Sequence, residues 1–265
     1  MKINNVTIGS DPELFIINLD TDRVVSSIGL IPGRKGDPYR DKDMPTGFGL
    51  EVDNILAEYN IPPCKKIVEF VNAHNFMKDY IRRFVKKVNP NYDIKCTASC
   101  IVDEDQLQSD EAKLFGCSVD FNAYTRQSNP RPEGDKTNLR SAGFHIHVGY
   151  DNPSKEVSLD LVKHLDVTLG IPSVLIDEDS RRRLLYGKAG CFRLTSYGVE
   201  YRVLSGAFLA NDFLISFMWE NTMKAVCNLN NGLDLPDPIT VQRIINEGDK
   251  NLAKNFITKN KQFYR

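Results

Sequence analysis

The sequence predicts an α+β protein built on a mainly antiparallel sheet. Short β-rich runs joined by tight polar turns, and amphipathic helical stretches that do not alternate with them as βαβ units, carry that expectation. The composition is that of a globular protein: 265 residues, 41% hydrophobic and 26% charged. A chain of this length buries a core without staples. Without repeats, low-complexity runs or linker-like segments, it reads as one domain over 1–265, with 206–265 a helical C-terminal part. A net charge of −1 leaves no broad basic footprint for general nucleic-acid binding.

The elements follow in order. "ELFIINL" (13–19) is rich in β-formers, and "DTDR" turns it into "VVSSIG", an N-terminal hairpin. Residues 29–49, rich in glycine, proline and charge, read as a long functional loop. "LEVDNILAEYNIPP" (50–63) reads as a strand ended by its prolines. In the next stretch Ile67, Phe70, Val71, Met77, Ile81, Phe84 and Val85 recur at helical spacing, with His74 expected on the solvated or half-buried side. "DIKCTASCIVD" (93–103) alternates as one strand, with Cys96 and Cys100 on one face.

Residues 104–142 are polar and irregular, with a short helix near "SDEAKLFG". The strand "SAGFHIHVGY" (141–150) precedes a helix over 156–170, where His164 reads as a surface residue. Residues 177–190 read as a helical turn entering a glycine loop, and 191–204 as two strands around "TSYG". Residues 211–229 form a core-facing helix with an Asn/Asp N-cap, its Met and Trp in the core; smaller polar helices follow.

The six cysteines include no Cys-x-x-Cys pair, so reduced thiols are expected rather than zinc ligands. The N-terminus lacks a signal-peptide apolar core, and no apolar run approaches membrane-spanning length, which predicts a soluble cytoplasmic protein.

Functional groups concentrate on the strands. Asp11 and Glu13 alternate, as do Glu58 and Asn60, His145 and His147, and Glu200 and Arg202, so each pair shares one face. A sheet face this rich in carboxylate repels itself unless cations or arginines sit among them. Asp and Glu oxygens with one imidazole suit Mg²⁺ or Mn²⁺. Arg181, Arg182, Arg183, Lys188, Arg193 and Arg202 crowd around Glu200, and arginine forks bind phosphate oxygens in pairs. With no P-loop and no Gly-x-Gly-x-x-Gly after a strand, a nucleotide bound here would lie on a sheet.

"SDPELF", "AEYNIPP", "AGFHIHVG", "RRRLLYGKAGCFR" and "YGVEYR" together resemble the phage carboxylate–amine (COOH–NH2) ligases, amidoligases distantly related to glutamine synthetase and glutamate–cysteine ligase. The resemblance spans roughly residues 8–205. It implies a glutamine-synthetase-like catalytic domain with helices packed on one face of the sheet. It also implies ATP and Mg²⁺ or Mn²⁺ as cofactors, and amide formation through an acyl phosphate. By that resemblance Asp11, Glu13, Glu58, His145 and Glu200 hold metal. His147, Arg181, Lys188, Arg193 and Arg202 meet ATP, and Arg193, Arg202 and Glu58 act in catalysis. Position 11 is Asp where the relatives usually carry Glu, and Gly198 stands where they carry the first arginine of Arg-x-Glu-x-Arg. Position 66, where spacing would put a third carboxylate of the first metal site, is Lys.

The expected partners are small-molecule or peptide carboxylates and amines, with nucleic acid only as a modified-base substrate and an oligomer possible. Two rivals stand beside this reading. His-hydrophobic-His on a strand also marks single-stranded DNA nickases with a tyrosine nucleophile, for which Tyr186 is the candidate; the chain could instead be a non-catalytic phage structural or binding protein.

Overall fold

The computed structural model describes residues 2–113, 120–130, 137–177 and 179–265; Cys117 and the end of the "SDEAKLFG" helix lie outside them. The strands are β1 (Thr7–Asn18), β2 (Arg23–Val25), β3 (Gly49–Asp53), β4 (Leu56–Cys64), β5 (Tyr92–Lys95), β6 (Ser99–Ile101), β7 (Phe121–Asn122), β8 (Leu139–Ser141), β9 (Gly143–Gly149), β10 (Cys191–Thr195) and β11 (Gly198–Ser205). The helices are α1 (Ile67–Val88), α2 (Asp110–Lys113), α3 (Lys155–Leu165), α4 (Ile171–Ile176), α5 (Arg182–Leu185), α6 (Asp212–Asn230), α7 (Pro238–Glu247) and α8 (Lys250–Lys259).

The α+β expectation holds, with a large antiparallel sheet in the order β3-β4-β1-β9-β11-β10-β7. β1 is its spine. Residues 7–14 run between β4 and β9, while 15–18 pair instead with β2 and β5. The N-terminal hairpin and the 191–204 hairpin form as expected. Residues 50–63 are two strands rather than one, reversing at Asn54, whose φ of 56° makes the tight turn. The prolines do not end β4. Pro62 and Pro63 sit where the β1–β4 register shifts, beyond β4's last pair with β3, so their missing N–H groups cost no ladder bond.

Residues 93–103 are likewise two strands, β5 on β1 and β6 on β8, so Cys96 and Cys100 do not share one strand face. The helix expected over 156–170 runs on to Ile176, through a π-helical segment at Asp166–Gly170. The other helices follow their patterns. In α6, Asn211 caps through Leu214 N; Met218 and Trp219 are buried while Met223 faces outward.

One face of the sheet carries the helices, with α1 and α3 on it and α6 against both. Ser10, Tyr59, Phe144, Ile146, Val199 and Tyr201 point into this layer and are buried. Each large apolar side chain so enclosed contributes about 1.5–3 kcal/mol. Two histidines expected nearer the surface belong to this core. His74 lies on the α1 stripe with Phe70, Met77 and Ile81 and is fully buried because that stripe rests on the sheet. Its nitrogens bond Ser10 Oγ (3.1 Å) and Tyr59 OH (2.9 Å), and burial pushes the imidazole down to about 3, so it stays neutral. His164 is buried in α3, and burial pushes it down to about 4.

β11 starts at Gly198 with φ +152°, its missing Cβ leaving room for Val148 O, which an added methyl would meet at 2.1 Å. Gly198→Ala is expected to cost about 2–4 kcal/mol of stability, read from urea unfolding, because both the backbone and β9 would have to move.

Candidate active site

The opposite face of the sheet collects the charged pairs. In the register of β1, β9 and β11, Asp11 stands beside His145 and His147 beside Glu200. On the flanks β4 puts Glu58 beside Glu13, and β10 puts Arg193 beside Glu200. Period-two alternation on five adjacent strands therefore stacks Asp11, Glu13, Glu58, His145, His147, Arg193, Glu200 and Arg202 on one surface. Glu13, Glu58, His145, Glu200 and Arg202 are buried there.

The distances are those of a connected network. His147 Nε2 lies 2.9 Å from Asp11 Oδ1, and the other imidazole nitrogen is hydrogen bonded to the Tyr197 hydroxyl. His145 Nδ1 is 3.2 Å from Asp11 Oδ1 and 3.4 Å from Glu200 Oε1. Arg193 Nε donates to Glu200 Oε2 at 2.6 Å, and Arg202 donates to the other oxygen. Glu13 accepts from the Gly143 backbone N–H at 2.7 Å. Arg202 also faces Asp120 at 4.0 Å, and a small cavity beside them is lined by Glu13, Ser141, His145, Arg182 and Tyr186.

The network divides electrically. On the Glu200 side, two guanidinium groups neutralise the carboxylate. On the Glu13–Glu58 side, acid meets acid. Burial and the neighbouring Asp11, Glu13 and Asp53 charges push the Glu58 carboxyl well above the usual range. Burial and Asp53 push Glu13 up as well. Asp11 goes the other way: burial would raise it, but His147 and His145 hold it well below an ordinary aspartate. Burial would lower His147, and Asp11 raises it.

Such a surface could hold a divalent cation. Among the described residues, three sets of groups each bring ligand atoms within 4.8 Å of one another: Asp11, Glu58 and His145; Asp11, His147 and Glu200; and Glu13, Asp53 and Glu58. Glu58 Oε2 is buried with no hydrogen-bond partner, an orphan oxygen that a cation would satisfy. Oxygens with a single imidazole suit Mg²⁺ or Mn²⁺ better than zinc.

Three residues named from the sequence are not brought to this face: Arg181, Lys188 and Arg183, the last buried and donating to Gly187 O, Ser173 Oγ and Asp177. Arg181 pairs with Asp179 at 2.8 Å and lines a separate cavity with Lys95, Ser99 and Cys100. Its neighbour Arg182 turns the other way, into the cavity with Glu13 and His145, while donating to Ala142 O and Val203 O. Lys188 is exposed in the loop between α5 and β10. Helical rotation separates adjacent side chains by about 100°, so only one arginine of the run could face the sheet.

The sequence reading missed Glu51 and Asp53 of β3. The signal was present: "LEVDN" alternates two acids as "DPE" does, and Glu51 pairs with Glu58. Asp53 completes a carboxylate trio with Glu13 and Glu58, although position 66 is Lys. Loop 29–49 also reaches this edge, with Lys35 Nζ 2.8 Å from Asp53 and Gly36 N–H on Glu51. Tyr197, from the β10–β11 turn, was the other omission.

Residues 136–227, which contain the histidine strand, α5 and the β10–β11 hairpin, match the family model of phage phiEco32-like COOH.NH2 ligase-type 2. The match supports the family that the motifs resemble and, with it, a carboxylate–amine ligase. No curated protein matches the chain. Among the described residues, no helix is long and apolar enough to cross a membrane.

The raised carboxyls give a thermal prediction. An acid whose pKa is higher folded than unfolded holds extra protons in the native state, so stability falls as pH rises from the unfolded value toward the folded one. Metal-free Glu58→Gln is therefore expected to gain melting temperature over the wild type more at pH 8 than at pH 5. The buried neutral His74 and His164 are common to both proteins in that comparison, and Mg²⁺ at pH 8 should narrow the gap. Glu58→Gln should stabilise the metal-free protein at neutral pH by about 1–3 kcal/mol and blunt the response to Mg²⁺, both read by calorimetry.

Proposed function

We propose that the chain is an ATP- and divalent-cation-dependent carboxylate–amine ligase. The γ-phosphoryl group of ATP moves to a substrate carboxylate. An amine nitrogen then forms the new C–N bond as the acyl C–O bond to phosphate breaks, releasing an amide, ADP, phosphate and a proton. One observation carries the reading: buried carboxylates, two histidines and two arginines interlock on one sheet face within the stretch that matches the ligase family and its paired strands.

The residues divide the labour by charge. Asp11, Glu13, Glu58, His145 and Glu200, joined by Asp53, would hold Mg²⁺ or Mn²⁺. When bound, such cations neutralise polyphosphate charge. Arg193 and Arg202, anchored on the two oxygens of Glu200, are oriented before substrate arrives and meet the charge of the moving phosphoryl group. His147 faces the nucleotide. A cavity of about 370 Å³ beside it, lined by Gly9, Asn60, Pro63, Gly149 and Tyr197, would take the nucleoside. Loop 29–49, tied to β3 through Lys35, would act as the lid or substrate loop. No nucleophilic side chain is required, because the substrate carboxylate is itself the phosphoryl acceptor.

Purified protein with ATP and Mg²⁺ is expected to release ADP only when a suitable carboxylate and amine are supplied, as mixed amino acids or peptides. Glu200→Gln removes the carboxylate charge that anchors Arg193 and Arg202 and turns a donor toward one of them, and should lower that rate about 10²–10³-fold. Nicking of single-stranded DNA without ATP, lost in Tyr186→Phe, would overturn the ligase reading in favour of the nickase; Tyr186 does line the small cavity beside His145.

A further inference from the structure

His147 has no free nitrogen in this arrangement. Nε2 faces the Asp11 carboxylate at 2.9 Å and Nδ1 is bonded to the Tyr197 hydroxyl. The two partners are unlike. Asp11 Oδ1 is shared, also lying 3.2 Å from His145, and Asp11 belongs to both cation-competent groups that contain a histidine. It has other claims on it.

Tyr197 is fixed by the main chain. Its carbonyl accepts from Tyr150 N–H at 3.0 Å, its ring lies 3.7 Å from the point where a Cβ of Gly149 would stand, and the following residue is the glycine that lets β11 begin against β9. The tyrosine thus spans the end of β9 and reaches back to the histidine on the same strand. The residue is 45% exposed and its side chain borders the 370 Å³ cavity together with His147 and Asp11.

A neutral imidazole carries one proton, and a phosphate oxygen can only accept. A ring protonated on Nδ1 would turn a lone pair toward phosphate and repel it; a ring protonated on Nε2 would donate. We propose that Tyr197 is a positioning residue for His147: its hydroxyl donates to Nδ1, which keeps the proton on Nε2 and holds the ring in place when Nε2–H passes from Asp11 to a nucleotide phosphate. The phosphate part of this rests on the ligase reading; the tautomer part does not. Asp11 is the exchangeable partner and Tyr197 the permanent one. A hydroxyl suits the permanent post, because it adds no charge beside an incoming polyphosphate.

The test separates the two parts. Histidine ¹⁵N shifts are read at alkaline pH, where the ring is neutral, in metal-free Asp11→Ala and in Asp11→Ala/Tyr197→Phe. With Asp11 gone, His147 is expected to remain protonated on Nε2. With Tyr197 also reduced to phenylalanine, the two tautomers should mix. A proton on Nδ1 in the single variant, or an unchanged tautomer in the double one, overturns the proposal. In turnover assays Tyr197→Phe, which keeps the ring and the fold, should raise KM for ATP about tenfold while kcat stays within about twofold, the loss of one hydrogen bond to a charged group. A fall in kcat with KM unchanged would also overturn it. Should no amine elicit ADP release from the wild-type protein, the ligase reading fails, while the tautomer measurement still decides the role of Tyr197.

Discussion

The register of β9 between β1 and β11 is the constraint on which the rest depends. His145 stands beside Asp11 and His147 beside Glu200 because the strands pair in that register. A slip of one residue would send the histidines into the helix layer and Phe144, Ile146 and Val148 onto the charged face. Those apolar residues are fully buried, so the hydrophobic core holds the polar constellation in alignment. Stability and function share one alternation.

The charged face is held under electrostatic tension. Glu200 is satisfied twice over by arginines, whereas Glu58 keeps a buried oxygen without a partner beside Glu13 and Asp53. An acidic cluster of this kind is costly to ionise in isolation, and its raised carboxyls express that cost. Lys35 offsets part of it from the loop beside β3. The half of the site with arginines carries the charge that suits an anion, and the half without them the charge that suits a cation. In the proposed reaction a metal-bound polyphosphate would use both.

Much of this was legible in the sequence because a strand's period is two. "DPE", "HIH" and "EYR" each place two functional groups on one face whatever the strand pairs with, and the same holds for the "EVD" of β3, which went unread. The periodicity of α1 is equally clear, yet that pattern alone does not bury His74. Both ring nitrogens of His74 are satisfied by Ser10 and Tyr59, which come from other segments. The prolines of β4 misled for a similar reason: whether a missing N–H matters depends on which neighbour strand ends before it.

The sequence by itself determined the α+β class, the antiparallel hairpins, the amphipathic helices and which side chains share a strand face. These follow from local periodicity and turn chemistry, which act within a few residues. Tertiary structure alone decided which strands stand side by side, and hence that Asp53 joins Glu13 and Glu58. It also decided that Arg182 rather than Arg181 reaches the cavity, and that Tyr197 closes on His147. Each of these pairings joins distant segments or fixes a helix's rotation, and both are settled only when the apolar faces pack together.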